Sequence, residues 1–276
     1  MLAVSFMLGI AISLRIGERH GVERKAASNT LFVALVCSLI GARLFYFFTD
    51  WDKFSLVNFF KVTEGGLVAY GGYIGGLGGA FIYALFKKFD FFSIADMAAP
   101  QMALGLGFTR WGCFLYGCDY GERTDLPWGL NYPRWDMPSF ASWIKGSSPA
   151  FNDHLHQRII DGASAASLSV HPTQLYESMT GFIIFAALFL FTPLRKFRGQ
   201  VVLLFLIIYS AARFLLEFLR GDVDRGERVL GTMFSFSQVI FLILIVISVY
   251  LWFYLKRFKP VVEPEPVRIK KSKKKR

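Results

Sequence analysis

HPTQLYESMTGFIIFAALFLFTPL, residues 171–194, opens on polar and titratable side chains and runs on into an apolar stretch. The chain has only four histidines, yet His171, Gln174, Tyr176 and Glu177 stand together at the mouth of this run. The run has the length, roughly 17–25 residues, that carries a helix across a bilayer core. Pro172 suits the first turn of such a helix, where its missing N–H costs nothing. Thr173, Gln174 and Glu177 then share one helical face, with Glu177 roughly a turn and a half below the start. The segment reads as a membrane-spanning helix that turns a polar face inward at one end.

Six further apolar stretches have similar character, at about 1–14, 30–49, 66–86, 92–117, 200–219 and 232–255. Few soluble domains carry 54% hydrophobic residues and 30 Phe in 276 positions, and the mean hydropathy of +0.43 points to lipid as the solvent. The fold class expected is an all-α integral membrane protein of about seven transmembrane helices, the first one short. The run MLAVSFMLGIAISL has no basic residue before it and no small-residue cleavage site, so it is taken as a first helix rather than a removable leader.

Basic residues follow alternate spans: Arg15, Arg19, Arg24 and Lys25, then Lys87 and Lys88, then Arg195, Lys196 and Arg198, then Lys256, Arg257 and Lys259. Because positive loops stay cytoplasmic, the N-terminus is expected outside and the C-terminus inside. Residues 119–170, between spans four and five, form the one long connection and are expected to build a small outer cap. Its Trp128, Tyr132, Trp135 and Trp143 suit a membrane interface. The organisation expected is a bundle over 1–258 with this cap inside it, followed by a basic tail over 259–276. Much of the net charge of +11 lies in that tail, which places it against anionic inner-leaflet lipid rather than nucleic acid.

The three cysteines, Cys37, Cys113 and Cys118, are too few for a disulfide scaffold. Cys113 and Cys118, five apart, leave open either separate thiols or a pair on an oxidising face. No His, Cys or carboxylate cluster shows ligand spacing, so neither metal nor cofactor is expected. In span three, Gly71 to Gly75 and Gly72 to Gly76 repeat at the spacing that lets helix backbones approach closely in lipid.

Charges inside spans cost roughly 2.5–3.5 kcal/mol each at mid-helix, so they must be paired or used. They are Arg43, Asp96, Arg110, Glu177, Arg213 and Glu217. Arg213 and Glu217, four apart, can neutralise each other on one helical face. Tyr209, Arg213, Glu217 and Arg220 make a polar stripe along span six with an excess of guanidinium. Guanidinium groups match phosphate oxygens with paired donors, so a phospholipid head group is the ligand this chemistry favours over a purely structural Arg–Glu network.

IGARLFYFF (40–48), EGGLVAYGGYIGG (64–76), LGFTRWGCFLYGCDYG (106–121), HPTQLYES (171–178), YSAARFLLEFLRGD (209–222) and FSFSQ (234–238), in this order, resemble the bacterial prolipoprotein diacylglyceryl transferase family. The resemblance implies a multi-pass inner-membrane enzyme that needs no cofactor. Such an enzyme moves the diacylglyceryl group of phosphatidylglycerol to the lipobox cysteine thiol of a prolipoprotein signal peptide, releasing glycerol phosphate. Carried over, Arg110 and Arg213 grip the phosphate and stabilise the departing charge, and Arg220, Tyr209, Glu217, Arg43, Gly112 and Gly121 match the family pattern. Gln174 and Glu177 of HPTQLYE join the substrate-binding set. The chain departs from the family where Tyr70 replaces the histidine of an H-G-G element, Cys113 replaces an asparagine, and GCDYG stands for N-G-E-x-x-G. Three sources of thiol activation stay open: Tyr70, His171, or arginines that lower the thiol pKa directly. A relative with another acceptor or lipid donor, and a lipid-binding protein without chemistry, are the competing functions.

Overall fold

In lipid every backbone polar group must be satisfied within the chain, and a helix does this within one segment. The computed structural model describes residues 2–19, 22–49, 59, 66, 68–134, 147–221 and 234–258. In order they form α1 (Leu2–Arg19), α2 (Arg24–Thr49), α3 (Ala69–Lys87), α4 (Phe91–Tyr116), α5 (Pro149–His156), α6 (Thr173–Phe191), α7 (Gln200–Leu216) and α8 (Phe236–Phe258). Short 3-10 turns, Thr192–Leu194 and Glu217–Leu219, continue α6 and α7. All but α5 fall on the apolar stretches of the sequence. Four helical segments, Arg24–Thr49, Thr173–Leu194, Gln200–Leu219 and Phe236–Phe258, are long and apolar enough to cross a membrane. Phe32, Phe48, Ile74, Phe86, Leu190, Val246 and Phe253 are exposed on the bundle's outside, as suits a lipid-facing surface.

The α2–α3 pair packs backbone to backbone, as the glycine spacing predicts. A Cβ on Gly75 would run into the Cys37 carbonyl and lie 3.0 Å from Gly41 Cα, and one on Gly71 would strike the Gly41 carbonyl. Gly78, on the same helix, has nothing within 4 Å of that position. Gly75→Ala is therefore expected to cost about 1–3 kcal/mol, the scale of overpacking. Gly78→Ala should be neutral or slightly stabilising by helix propensity. Unfolding midpoints of the two variants in the same detergent check this, and equal midpoints would refute the close contact.

α4, α6 and α7 form the interior, with Ala99, Ala103, Ile184, Leu188, Val201 and Phe205 as its apolar core. Ser178 Oγ donates to the Gly107 carbonyl at 2.9 Å where α6 crosses α4. At the far end of this core Asp96 of α4 is fully buried and accepts from the N–H groups of Gly199 (2.8 Å), Val201 (2.9 Å) and Val202 (3.0 Å). Arg195 closes the arrangement at 3.0 Å. The charge of Asp96 thus caps the start of α7, satisfying donors that no helix can satisfy alone.

Between α4 and α6 the described parts of the cap hold α5 and isolated bridges, among them Arg123 with Val170 and Pro133 with Ala166. Tyr120, Tyr132, Ala150 and Val170 form its small core. Tyr132 is buried there, which corrects its expected place at the membrane interface: its ring packs with Tyr120, Ala150 and Val170 in the cap core. Burial pushes its hydroxyl up to about 12. Trp128 is exposed, while Trp135, Trp143 and the tail over 259–276 lie outside the described residues.

His154 Nδ1 accepts from the Leu168 N–H at 3.1 Å. Burial, with Arg123 adding to it against the pull of Asp153, holds this ring below its ordinary value of 6.5. A depressed folded-state value means the unfolded chain binds the proton first. The stabilisation is therefore complete above 6.5 and lost as pH falls from there through the folded value. Amide exchange in the cap should rise between pH 7 and pH 5, and His154→Asn, which keeps an acceptor but cannot titrate, should flatten that dependence.

Candidate active site

HPTQLYE works by fixing the loop that follows α4. That helix ends at Gly117, whose φ of +79° a side chain would strain, and the Cys113 carbonyl accepts from the N–H groups of both Gly117 (2.8 Å) and Cys118 (3.2 Å). Thr173 Oγ1 donates to the Asp119 carbonyl at 2.7 Å, and Gln174 Nε2 to the Cys118 carbonyl at 2.6 Å. Asp119 has a φ of +54°, a conformation an aspartate tolerates better than most side chains. These bonds hold the Asp119 carboxylate against two arginines.

Arg110 Nη1 lies 2.7 Å from Asp119 Oδ2, and its Nε lies 2.5 Å from Glu177 Oε2. Arg213 Nη1 stands 2.8 Å from Glu217 Oε2 and 3.5 Å from Glu177 Oε1. Arg220 Nη2 reaches Asp119 Oδ1 at 2.6 Å. Burial alone would raise the Asp119 carboxyl, but Arg110 and Arg220 outweigh it and hold it below its ordinary 3.8. The clamp therefore persists above that value and fails only as pH falls through the lowered one.

Two expectations are corrected here. The guanidinium excess along span six is not left for an anion: carboxylates from other elements, Glu177 and Asp119, balance it, so the site is a paired Arg–Glu–Asp network. The stripe itself is also broken, because α7 ends at Leu216, Glu217 sits in a 3-10 turn, and Arg220 is extended with its backbone paired to Gly121. The Arg213–Glu217 pair does form as its spacing suggests.

Several polar atoms in this network are buried without a hydrogen-bond partner. Glu177 Oε1, Arg213 Nη1 and Glu217 Oε2 are buried at ion-pair distances, yet none completes a well-directed hydrogen bond. Beside them Leu106, Thr180, Tyr209, Ala212 and Leu216 line a narrow, mostly apolar gap with Arg110 and Arg213. Tyr209 stacks on Phe205 at 5.6 Å, and Arg213 lies 6.0 Å over Phe241 of α8.

The other residues singled out in the sequence lie elsewhere. Arg43 donates to the Gly66 carbonyl at 2.9 Å and the Phe59 carbonyl at 3.2 Å, next to the rings of Tyr46 and Phe47. Tyr70 occupies the first turn of α3 and is exposed. His171 turns its ring to the Tyr176 hydroxyl at 3.3 Å, which also accepts from Trp128 Nε1 at 2.9 Å. Its backbone pairs with Gly121 and Glu122, and its Cβ packs on Gly121.

Asp119 and Ser235, which donates to Glu217 Oε1 at 3.0 Å, are site residues that spacing did not mark. An acid directly after the glycine-rich turn was the available signal for Asp119. The expectation of no donor cluster meets one exception, since Cys113 Sγ, Cys118 Sγ and an Asp119 oxygen lie within 4.8 Å of one another.

The family model described as prolipoprotein diacylglyceryl transferase matches residues 1–254. A phosphatidylglycerol–prolipoprotein diacylglyceryl transferase of Clostridioides difficile is 30% identical over 93% of this chain and 89% of its own length. One from Xylella fastidiosa is 34% identical over 92% and 85%. A protein of Clostridium perfringens named as a second such transferase is 28% identical over 86% of each chain. The match runs through α1 to most of α8 and so takes in every element that supplies the arginine network, and on that ground the chain belongs to the prolipoprotein diacylglyceryl transferase family.

Proposed function

We propose that this chain transfers the diacylglyceryl group of phosphatidylglycerol to the lipobox cysteine of prolipoproteins in the bacterial inner membrane. The observation that carries this reading is the convergence of Arg110 and Arg213, from two helices, on the one buried carboxylate of Glu177. A phosphodiester head group matches the same donors and can take the place of that carboxylate. The incoming thiolate forms a C–S bond to the glyceryl carbon while the C–O bond to phosphate breaks. The electron pair leaves on glycerol phosphate, and the thiol proton ends on the released phosphate or on water. Arg110 and Arg213 hold the charge that develops on the leaving oxygen, the kind of stabilisation that dominates such steps.

Arg220, Tyr209 and Glu217 keep the arginines in place, and Gln174 with Gly121 keeps the Asp119 loop seated. Arg43 serves the α2–α3 connection. Guanidinium groups at the site favour the thiolate form of the acceptor, so no dedicated histidine base is needed in place of Tyr70, and His171 serves the cap. A polar cleft lined by Tyr120, Glu122, Arg123, His154 and Gln157 lies on the cap side of Arg220. On this reading the bundle over 1–258 crosses the membrane seven times with the N-terminus and cap outside, and the tail over 259–276 rests on anionic lipid inside.

The test is reconstitution in phosphatidylglycerol vesicles with a synthetic lipobox peptide, following peptide mass and glycerol phosphate release together. Equal gains in both support the transferase. A folded protein that binds phosphatidylglycerol and yields neither product would point to a relative with another acceptor or lipid donor, or to a lipid-binding role.

A further inference from the structure

We propose that Cys113 and Cys118 form a vicinal dithiol that undergoes exchange with a disulfide-bearing small molecule or protein, and that the resulting Cys113–Cys118 bond slows the transferase by locking Asp119 onto Arg110. This rests on the transferase reading and on the outward-facing cap, which places the thiols where disulfides persist.

The helix end itself creates the pair. With Gly117 left-handed, residues three before the last helical position and one after the glycine are brought side by side, a contact that usually joins two apolar side chains. Here those residues are the two cysteines, and the Cys113 carbonyl receives both N–H groups of the turn. Their sulfurs lie within 4.8 Å of each other, both side chains are only half-buried, and both are unbonded thiols. Arg110 Nη1 stands 3.9 Å from Cys113 Sγ, a placement that favours the nucleophilic thiolate.

Exchange proceeds through a mixed disulfide. Each thiol gives up a proton, one S–S bond forms between Cys113 and Cys118, and the two electrons pass to the incoming disulfide, which leaves as two thiols. Asp119 directly follows Cys118, and Arg110 lies three residues before Cys113. A bond between the sulfurs ties the loop bearing Asp119 to the helix bearing Arg110. In the reduced chain Asp119 can yield Arg110 to a phosphate; in the oxidised chain that exchange is hindered.

The experiment uses full-length protein in phosphatidylglycerol vesicles, treated with oxidised glutathione that is removed before the lipobox peptide is added. A single tryptic peptide, residues 111–123, carries both cysteines. After denaturation and alkylation it should appear lighter by two hydrogens and unalkylated, while Cys37 is alkylated. Transfer should fall about ten-fold, the scale of small misplacements beside a reacting centre, and dithiothreitol should restore it. Cys118→Ser cannot form the internal bond and should stop at a Cys113–glutathione mixed disulfide, which the mass of the same peptide distinguishes. Alkylation of both cysteines after treatment overturns the dithiol, and oxidation without a change in rate overturns its coupling to Arg110. If untreated protein shows no transfer, the transferase reading fails instead, and the peptide mass still decides the dithiol.

Discussion

Arg213→Ala is expected to lower transfer from phosphatidylglycerol to a lipobox peptide by about 10²–10³-fold, the cost of removing one preorganised donor from a developing charge. Arg213 stands between Glu177 and Glu217, so its loss removes the phosphate ligand proposed above, takes away the guanidinium that faces Glu217 and leaves Glu177 to Arg110. Arg213→Lys should recover only part of the rate, because an ammonium keeps the charge and loses the planar fork. The measurement is initial rate in vesicles, with a melting curve in detergent to show that each variant is folded. A folded Arg213→Ala protein within a few-fold of the parent would remove this residue from the chemistry.

Asp96→Ala should have the largest effect on stability. Its carboxylate answers three backbone N–H groups at the start of α7 and Arg195, all shielded from water. Alanine strands those donors and leaves a buried guanidinium without its partner, which costs about 3–5 kcal/mol. Asp96→Asn keeps an acceptor and should fall between. Unfolding followed in mixed micelles checks this, and a midpoint for Asp96→Ala matching the parent would mean that α7 finds another cap. Because Asp96 lies at the far end of the α4–α6–α7 core from the arginines, folded Asp96→Asn protein should keep a near-parental rate.

The helices were legible because their cause is local: apolar runs such as 200–219 need only lipid and backbone bonding to become helical. The glycine contact of α2 with α3 could be read for the same reason, from spacing along one helix. What the site does with its charges could not. Asp119 meets Arg220 across 101 positions of sequence, through a left-handed residue held by Thr173 and Gln174. Counting arginines along span six gave an excess because the balancing carboxylates come from other elements. Tyr132 was misplaced for a related reason, since an aromatic residue in a long connection suits a cap core as well as a membrane interface.

The resting network has a consequence for turnover. Among the described residues, three guanidiniums, those of Arg110, Arg213 and Arg220, face three carboxylates, those of Asp119, Glu177 and Glu217. These side chains therefore balance one another's charge within the chain. A phosphodiester enters with one negative charge, but glycerol phosphate carries close to two, so the product opposes Glu177 and Asp119 more strongly than the donor did. On the transferase reading proposed above, recapture of the arginines by their own carboxylates then helps to expel it.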